Sequence, residues 1–356
     1  MTDSKVETLY SVYVANSKCN LKCEYCETSK SDFLREIDEC MRNENFTHHN
    51  KILAESRKIY NSKILKVVGG GEIFLDKDIY KWIKQEEKNY EKIFILTNGV
   101  QIEPHLIELI STINNLIVGI SLDGYTLEMN GYRFTKQKFE NVLKTFHALG
   151  ANGVPLQINM VMHDLNGENF FEYLYFLMNL QYSITLHMSP VMPKTSSEIE
   201  CQDRDNWVRC LQKLLDKYEN YKKILLPKAY YRSLLEFYLN GCKRKTRCYI
   251  PYFMVQLFAS GEMTSCPIIW NTHIGNVNEY RGNLFEENIY KLLCGNDRRP
   301  FFCRKCASSY DIFSLYVENI INEDELRAIP LYSSEIIISQ IKKIKQKIRE
   351  EKDEIN

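Results

Sequence analysis

The sequence predicts an α/β protein whose first 200 residues form parallel β/α units, and three observations lead to this prediction. Short apolar runs rich in β-branched residues alternate with amphipathic segments of helical period. The runs are continuous, as in strands that are buried on both faces of a parallel sheet. Six such units precede residue 200, so we expect a partial (β/α)6 barrel of TIM type, with chemistry at the carboxyl ends of its strands.

The elements of this barrel follow the chain in order. The apolar runs predict strands over residues 10–15, 64–68, 93–96, 116–121, 156–162 and 184–188. The amphipathic segments between them predict helices over residues 79–89, 104–113, 135–149 and 169–180.

Four parts are predicted along the chain. Residues 1–200 form the barrel, 201–240 a helical connection, 241–310 a small auxiliary domain rich in cysteine, and 311–356 a helical tail. The tail holds isoleucines at helical spacing over residues 333–351, among lysines and glutamates. We interpret it as a terminal helix that packs on the protein, with a helix that binds a partner as the alternative.

Composition narrows the class of protein. The chain of 356 residues has 44% hydrophobic and 26% charged residues and a formal net charge of zero, which indicates neither nucleic acid nor an anionic membrane as a partner. No apolar stretch approaches the roughly 20 residues that span a bilayer, and the first six residues lack the apolar core of a signal peptide. We therefore expect a cytoplasmic protein.

Twelve cysteines are many for that compartment, where disulfides are disfavoured and clustered cysteines serve as metal ligands or redox groups. Seven of them lie in two arrangements, one near each end of the chain. Four others, Cys40, Cys201, Cys210 and Cys294, are scattered, and we interpret them as small buried apolar residues.

The first arrangement is Cys19, Cys23 and Cys26, with the spacing Cys-x3-Cys-x2-Cys directly after the first predicted strand. Three thiolates on one short loop can hold three irons of a cubane cluster and leave the fourth iron open to a substrate. A zinc knuckle is the alternative. It would need a fourth ligand from elsewhere, because no histidine lies between residues 1 and 47.

Polar or glycine-rich residues also follow the next three predicted strands. Residues 69–72 read Gly-Gly-Gly-Glu, residues 97–99 read Thr-Asn-Gly, and residues 121–124 read Ser-Leu-Asp-Gly. The carboxyl ends of parallel strands share one edge, so these segments and the cysteine loop are expected to line one mouth of the barrel.

The cysteine spacing, the aromatic residue Tyr25 before the last cysteine and the position after the first strand resemble the radical S-adenosylmethionine superfamily. This resemblance implies a [4Fe-4S] cluster whose open iron is chelated by the amine and carboxylate of S-adenosylmethionine. One electron from the reduced cluster then cleaves the sulfonium to a 5′-deoxyadenosyl radical, which abstracts a hydrogen atom from a substrate. An external reductant of the flavodoxin or ferredoxin type is implied as a partner.

The glycine-rich strand end resembles the Gly-Gly-Glu motif of this superfamily. By that resemblance, Gly70 and Gly71 permit close approach of the methionyl group, and Glu72 accepts hydrogen bonds from its ammonium. Ile73 stands where the motif usually has proline, which loosens the turn.

Four further residues carry over from the same resemblance. Thr97 and Asn98 end the third strand, where relatives contact the ribose or the methionyl group. Ser121 and Arg133 correspond to residues that engage the ribose and the carboxylate, for which a guanidinium fork is suited. Asp123 is predicted to shape a turn or cap a helix, with a catalytic role as the alternative.

The second arrangement lies near the C-terminus, where Cys248, Cys266, Cys303 and Cys306 make a plausible site of four thiolates. The pattern resembles the SPASM and twitch auxiliary domains, and the lack of further cysteines after Cys306 favours the twitch form with one auxiliary [4Fe-4S] cluster. A zinc ribbon is the alternative. Cys242 is either a further ligand, a hydrogen-atom donor or a bystander.

The resemblance favours a maturase that makes a crosslink, a thioether or an epimerised residue in a peptide or peptide-like natural product. Because the first predicted strand begins about ten residues from the start of the sequence, we expect no fused leader-peptide-binding domain, which weakens this prediction without removing it. The first alternative is a dehydrogenase or epimerase of small molecules of the aminoglycoside or carbohydrate type, and a zinc-binding protein without catalysis is the more distant one. Asn159, His163 and His187 lie on or after the last two strands and either face the cavity or belong to the core or rim.

Overall fold

A sheet of nine strands organises the computed structural model, which describes residues 5–26, 46–68, 70–76, 78–191, 204–264, 266, 273–276 and 305–353. Six of its strands are the predicted ones, and each pairs in parallel with the next along the chain. Their sequences are buried almost throughout, which explains why they read as continuous apolar runs. The predicted α/β fold with a partial barrel is confirmed.

The strands, numbered along the chain, are β1 (Val6–Glu7), β2 (Tyr10–Val14), β3 (Tyr60–Asn61), β4 (Ile64–Val68), β5 (Lys92–Thr97), β6 (Leu116–Ser121), β7 (Leu156–Met162), β8 (Ile184–Pro190), β9 (Met254–Phe258), β10 (Glu262–Thr264) and β11 (His273–Asn276). The order in the large sheet is β11, β10, β9, β2, β4, β5, β6, β7, β8, and β1 pairs separately with β3. The barrel strands are β2 and β4 to β8.

The helices are α1 (Phe46–Ile59), α2 (Ile79–Glu86), α3 (Pro104–Ser111), α4 (Lys136–Ala151), α5 (Phe170–Met178), α6 (Arg204–Asp216), α7 (Tyr218–Tyr221), α8 (Lys228–Leu239), α9 (Ile250–Phe253), α10 (Asp311–Val317), α11 (Glu323–Arg327) and α12 (Glu335–Asp353). Within the described residues, none of these helices is long and apolar enough to cross a membrane.

The two faces of the barrel are defined by the strand residues that alternate along β2. Tyr13 points outward, where its ring makes edge contacts with His49 of α1 and Trp82 of α2. Its neighbour Val12 therefore faces the inside, together with Lys66, its register partner on β4. Helix α1, which the sequence reading did not include, thus supplies part of the outer layer.

Strand β9 extends the barrel sheet from the cysteine-rich segment. It runs parallel to β2 in an unbroken register from Tyr10–Met254 to Val14–Phe258. The hairpin partner β10 then pairs antiparallel with β9. The segment that follows the barrel in sequence is therefore joined to the first barrel strand by backbone hydrogen bonds.

The terminal helix α12 packs on the protein, as interpreted from its isoleucine spacing. Ile337, Ile341, Ile344 and Ile348 are buried at 2% exposure or less. On the same helix the Gln340 amide donates to the backbone oxygens of Thr8 and Asn61 at 3.1 and 3.2 Å. These carbonyls precede β2 and lie at the end of β3, so α12 covers the amino-terminal end of the barrel, opposite the cysteine loop.

We expect Ile341→Ala to destabilise the protein by about 2–5 kcal/mol, because it leaves a cavity at a fully buried position. Ile336→Ala on the same helix is the matched control. Its side chain is 52% exposed, and its loss should change the free energy of unfolding by less than about 0.5 kcal/mol. Urea denaturation followed by circular dichroism measures both. Equal effects of the two substitutions would contradict the packing of α12 described above.

Candidate active site

The cysteine loop follows β2 and is fastened to the end of β4 by backbone hydrogen bonds. The Glu72 amide donates to the Lys18 oxygen at 2.7 Å, and the Asn16 side chain donates to the Glu72 oxygen at 3.1 Å. Gly71 makes this contact possible, because a Cβ on it would lie 1.8 Å from the Lys18 oxygen. The glycine therefore admits the backbone of the loop itself, in addition to any approach by a ligand.

The three predicted cysteines come together on this loop. Cys19 is exposed, Cys23 and Cys26 are half-buried, and the Cys26 amide donates to the Cys23 oxygen at 3.1 Å. Burial raises the pKa of Cys23 to about 11, Arg133 opposes this shift, and the charges of Cys26 and Cys19 add to it. The sulfurs therefore lie within electrostatic range of one another, and cluster binding must displace their protons.

The loop offers three thiolates, one fewer than the irons of a cubane cluster. Within the described residues no group of three or more His, Cys, Asp or Glu side chains surrounds a position for a single metal ion. Three thiolates that each bind a different iron need no such common centre. The Cys19 sulfur, which is the most exposed, accepts from the Leu21 amide at 3.4 Å and from the Asn98 side chain at 3.8 Å. Hydrogen bonds to sulfur are one of the factors that set the reduction potential of a cluster.

Glu72 links the ends of β4 and β5 through its buried carboxylate. One oxygen accepts from the Thr97 hydroxyl at 2.6 Å and from the Phe74 amide at 3.1 Å, and the other accepts from the Asn98 amide at 2.7 Å. Burial raises the pKa of Glu72, and these hydrogen bonds oppose the shift. A carboxylate offers about four acceptor sites, so three are occupied within the protein and one is left on Oε2.

Thr97 and Asn98 therefore hold other protein groups. Thr97 also accepts from the Gly99 amide at 2.9 Å. Asn98 donates to the Asn20 side chain at 2.8 Å and so contacts the cysteine loop a second time. These contacts explain the polar end of β5 as an anchor for the loop, a role that the sequence reading did not assign.

Asp123 is the centre of a buried network at the end of β6. It is fully buried and accepts from the Tyr25 hydroxyl, from Arg133 Nε at 2.7 Å and from the Val161 amide at 2.8 Å. His163 Nε2 lies 3.5 Å away. Burial alone would raise its pKa, but the Arg133 guanidinium and His163 hold the pKa of Asp123 at about 2. Asp123 thus fixes the cysteine loop through Tyr25, beyond the turn or cap predicted for it.

Arg133 lies between the Asp123 carboxylate and the face of Tyr25, 5.0 Å from the ring centroid. Its Nε–H is used by Asp123, and within the described residues its two Nη groups make no hydrogen bond. They are the part of the fork that is free for a carboxylate ligand. Ser121 is half-buried at the end of β6, beside Asn159 of β7 in the sheet register.

His163 belongs to the supporting core. Its carbonyl accepts from the Trp207 indole at 3.0 Å, and its Nδ1 accepts from the Leu165 amide at 3.2 Å. The Asn159 amide oxygen accepts from Gln157 at 2.8 Å, on the inner face of β7.

At the C-terminal arrangement, the structure brings Cys248, Cys266 and Cys306 near one another. Burial raises the pKa of Cys306 well above its usual value, Asp311 adds to the shift, and the charges of Cys248 and Cys266 raise it further. Cys303 lies outside the described residues. The described residues therefore include three of the four cysteines predicted as ligands.

A buried ion pair that the sequence reading missed supports this arrangement. Arg244 Nη2 lies 2.5 Å from Asp311, and Arg244 also donates to the Thr246 oxygen at 2.9 Å and the Cys306 oxygen at 3.5 Å. The sequence signal that could have revealed it is the run of four cationic residues between Cys242 and Cys248, since positive charge stabilises nearby thiolates.

Cys242 is half-buried and has a left-handed φ of 55°. The three roles predicted for Cys242 stay predictions.

We expect Asp123→Asn to destabilise the protein by about 3–5 kcal/mol, because it leaves the buried Arg133 charge without its partner. The free energy of unfolding in urea measures this. Asp164→Asn is the control. Its carboxylate accepts from the Tyr132 hydroxyl at 3.0 Å near the surface, and asparagine retains an acceptor there. Arg133→Gln should lower the free energy of unfolding less in the Asp123→Asn variant than in the wild type. If the two substitutions instead had additive effects on this free energy, direct coupling between the residues would be contradicted.

Comparisons with known proteins agree with this geometry. Residues 13–177 match the Radical SAM superfamily. Over 161 residues the chain is 26% identical to the antilisterial bacteriocin subtilosin biosynthesis protein AlbA of Bacillus subtilis (strain 168). This alignment covers 44% of this chain and 34% of AlbA. The chain's matches span 34% to 50% of the lengths of its curated relatives.

Two solved proteins share the fold. SuiB of Streptococcus suis, bound to S-adenosylmethionine, superposes with a TM-score of 0.58 at 16% identity, over 81% of this chain and 66% of SuiB. The structure of anSMEcpe with bound AdoMet and Cp18Cys peptide superposes with a TM-score of 0.58 at 17% identity, over 96% of this chain and 99% of that one. At these identities the likeness concerns the fold. Residues 13–177, which contain the cysteine loop and the strand ends that hold it, are thus similar to the radical SAM superfamily.

Proposed function

We propose that this chain is a radical enzyme that modifies a peptide or peptide-like natural product. The observation that carries the proposal is the cysteine loop, whose three thiols are held together over the strand ends by Glu72 and, through Tyr25, by Asp123. When bound, a [4Fe-4S] cluster with S-adenosylmethionine supplies the 5′-deoxyadenosyl radical that removes a hydrogen atom from the substrate.

The residues of the chain bind and orient the cofactor. Cys19, Cys23 and Cys26 would hold the cluster. The free Nη groups of Arg133 suit the methionyl carboxylate, and the remaining acceptor site of Glu72 suits the ammonium. Asp123 holds the Arg133 side chain, and three hydrogen-bond donors hold the Glu72 carboxylate. Both side chains are therefore oriented before a ligand arrives.

We propose one auxiliary [4Fe-4S] cluster at the C-terminal arrangement, with Cys248, Cys266, Cys303 and Cys306 as ligands. The mutual electrostatic influence of the three described thiols supports this, and the Arg244–Asp311 pair fixes the backbone around Cys306. An external one-electron reductant of the flavodoxin or ferredoxin type would reduce the clusters.

Three relatives support a peptide substrate. AlbA takes part in the biosynthesis of a bacteriocin, SuiB has been solved with the precursor peptide SuiA, and anSMEcpe with the Cp18Cys peptide. In anSMEcpe, the fold that this chain shares holds a peptide together with AdoMet.

Anaerobic reconstitution should give about eight irons per chain, and reduction by dithionite should yield 5′-deoxyadenosine. Cys26→Ala should lower the iron content to about four and abolish 5′-deoxyadenosine, because the cubane loses a ligand. Cys306→Ala should also lower the iron to about four but leave the loop cluster in place. Cys210→Ala is the control, since this buried thiol donates to the Gly167 oxygen and is not among the proposed ligands. A fully loaded wild type that forms no 5′-deoxyadenosine would refute the proposal.

A second experiment tests the class of substrate. The reduced enzyme is incubated with a peptide fraction from a perdeuterated culture, in parallel with a carbohydrate fraction from the same culture. Hydrogen abstraction from a peptide should transfer deuterium to 5′-deoxyadenosine, seen as a mass increase, only with the peptide fraction. Digestion of that fraction with a nonspecific protease should remove the signal. Transfer from the carbohydrate fraction alone would contradict a peptide substrate.

A further inference from the structure

Lys66 is a buried cation inside the barrel. It lies on β4 two residues before the strand ends, faces the interior beside Val12 and is 8% exposed. Its ammonium nitrogen lies 4.5 Å from the ring centroids of both Phe94 and Tyr310. The two aromatic faces attract the charge, but such contacts replace only part of the hydration that burial removes.

Lys66 has no counterion among the described residues. No carboxylate there forms an ion pair with it, and its side chain makes no hydrogen bond. Burial alone lowers its pKa to about 7. Buried charges in proteins are normally paired with an opposite charge, so the missing partner calls for an explanation.

His187 is a second unsatisfied polar group in the same part of the interior. It lies on β8, is 6% exposed, and neither of its ring nitrogens has a hydrogen-bond partner among the described residues. Burial, together with the smaller effect of the Lys66 charge, lowers its pKa to about 3, so the two side chains are within electrostatic range of each other. The ring is therefore neutral at physiological pH and has one N–H to donate.

Both groups lie on the inner face of the barrel sheet. His187 pairs in register with Asn159, which in turn pairs with Ser121 at the mouth of the barrel. Lys66 precedes the Gly70–Glu72 strand end by about four residues, or roughly 13 Å of extended chain. A substrate that reached past the cofactor into the barrel would meet these two groups.

We propose that Lys66 and His187 form an oxyanion-binding site in the barrel, which holds a carboxylate or phosphate group of the substrate. One anion would supply the counterion that Lys66 lacks and an acceptor for the His187 N–H. The inference rests on the proposed function, because the anion belongs to the molecule from which hydrogen is abstracted. A peptide offers such a group in its C-terminus or in an acidic side chain.

The test uses the reconstituted holoprotein with S-adenosylmethionine bound and no reductant, so that the cofactor's own carboxylate site is filled. Trifluoroacetate and monofluorophosphate serve as probes of the two kinds of oxyanion, and titration is followed by ¹⁹F NMR. Lys66→Met should weaken binding of the preferred probe roughly ten- to a hundredfold, as expected for the loss of a charge-assisted hydrogen bond. Lys66→Arg keeps the cation and should retain binding. Lys51→Met removes an exposed lysine of α1 and should leave binding unchanged.

Stability separates a binding role from a structural one. Lys66→Met should unfold at the same or a higher urea concentration than the wild type, because it removes an unpaired buried charge. Saturable binding that depends on Lys66 supports the site, and the stronger probe identifies a carboxylate or a phosphate. Equal binding by wild type and Lys66→Met, or no binding of either probe, overturns it. Failure of the wild type to form 5′-deoxyadenosine on later reduction refutes the proposed function instead.

Discussion

The Asp123 carboxylate is the interaction on which the arrangement of the mouth depends. It joins four separate parts of the chain: the cysteine loop through Tyr25, the segment after β6 through Arg133, the strand β7 through the Val161 amide, and the turn after β7 through His163. A fully buried carboxylate needs such partners to offset the loss of its hydration. Displacement of one of these groups would therefore weaken the hold of Asp123 on the other three.

Glu72 provides a second, independent anchor on the other side of the loop. Its amide holds the Lys18 carbonyl, and its carboxylate draws the ends of β4 and β5 together through Thr97 and Asn98. The loop is thus fixed at two points before it carries any iron. Preorganisation of this kind is needed because raised thiol pKa values oppose the deprotonation that cluster binding requires, and a loop already in position has less entropy to lose.

Sequence predicted the six barrel strands and the cysteine loop because both depend on local signals: continuous apolar runs and a fixed spacing. It did not predict the pairing of β9 with β2, since strands about 240 residues apart carry no mark of their partner. Asp123 was assigned a local turn because its partners are distant in sequence. For a similar reason, the local sequence does not indicate a functional role for Lys66. It interrupts an apolar run whose other four residues predict a buried strand, and only the fold shows that its side chain points inward.

Three other buried cations in the described part of the chain show what is unusual about Lys66. Arg133 faces Asp123, Arg244 faces Asp311, and Lys345 donates to the Tyr316 carbonyl. This fold therefore supplies a partner to a buried cation where the cation has a structural role. Lys66 lies between two aromatic rings and has no such partner among the described residues. Burial of an unpaired charge is expected to lower stability, and proteins accept such costs where function requires them, so a ligand that supplies the missing anion is the explanation we favour.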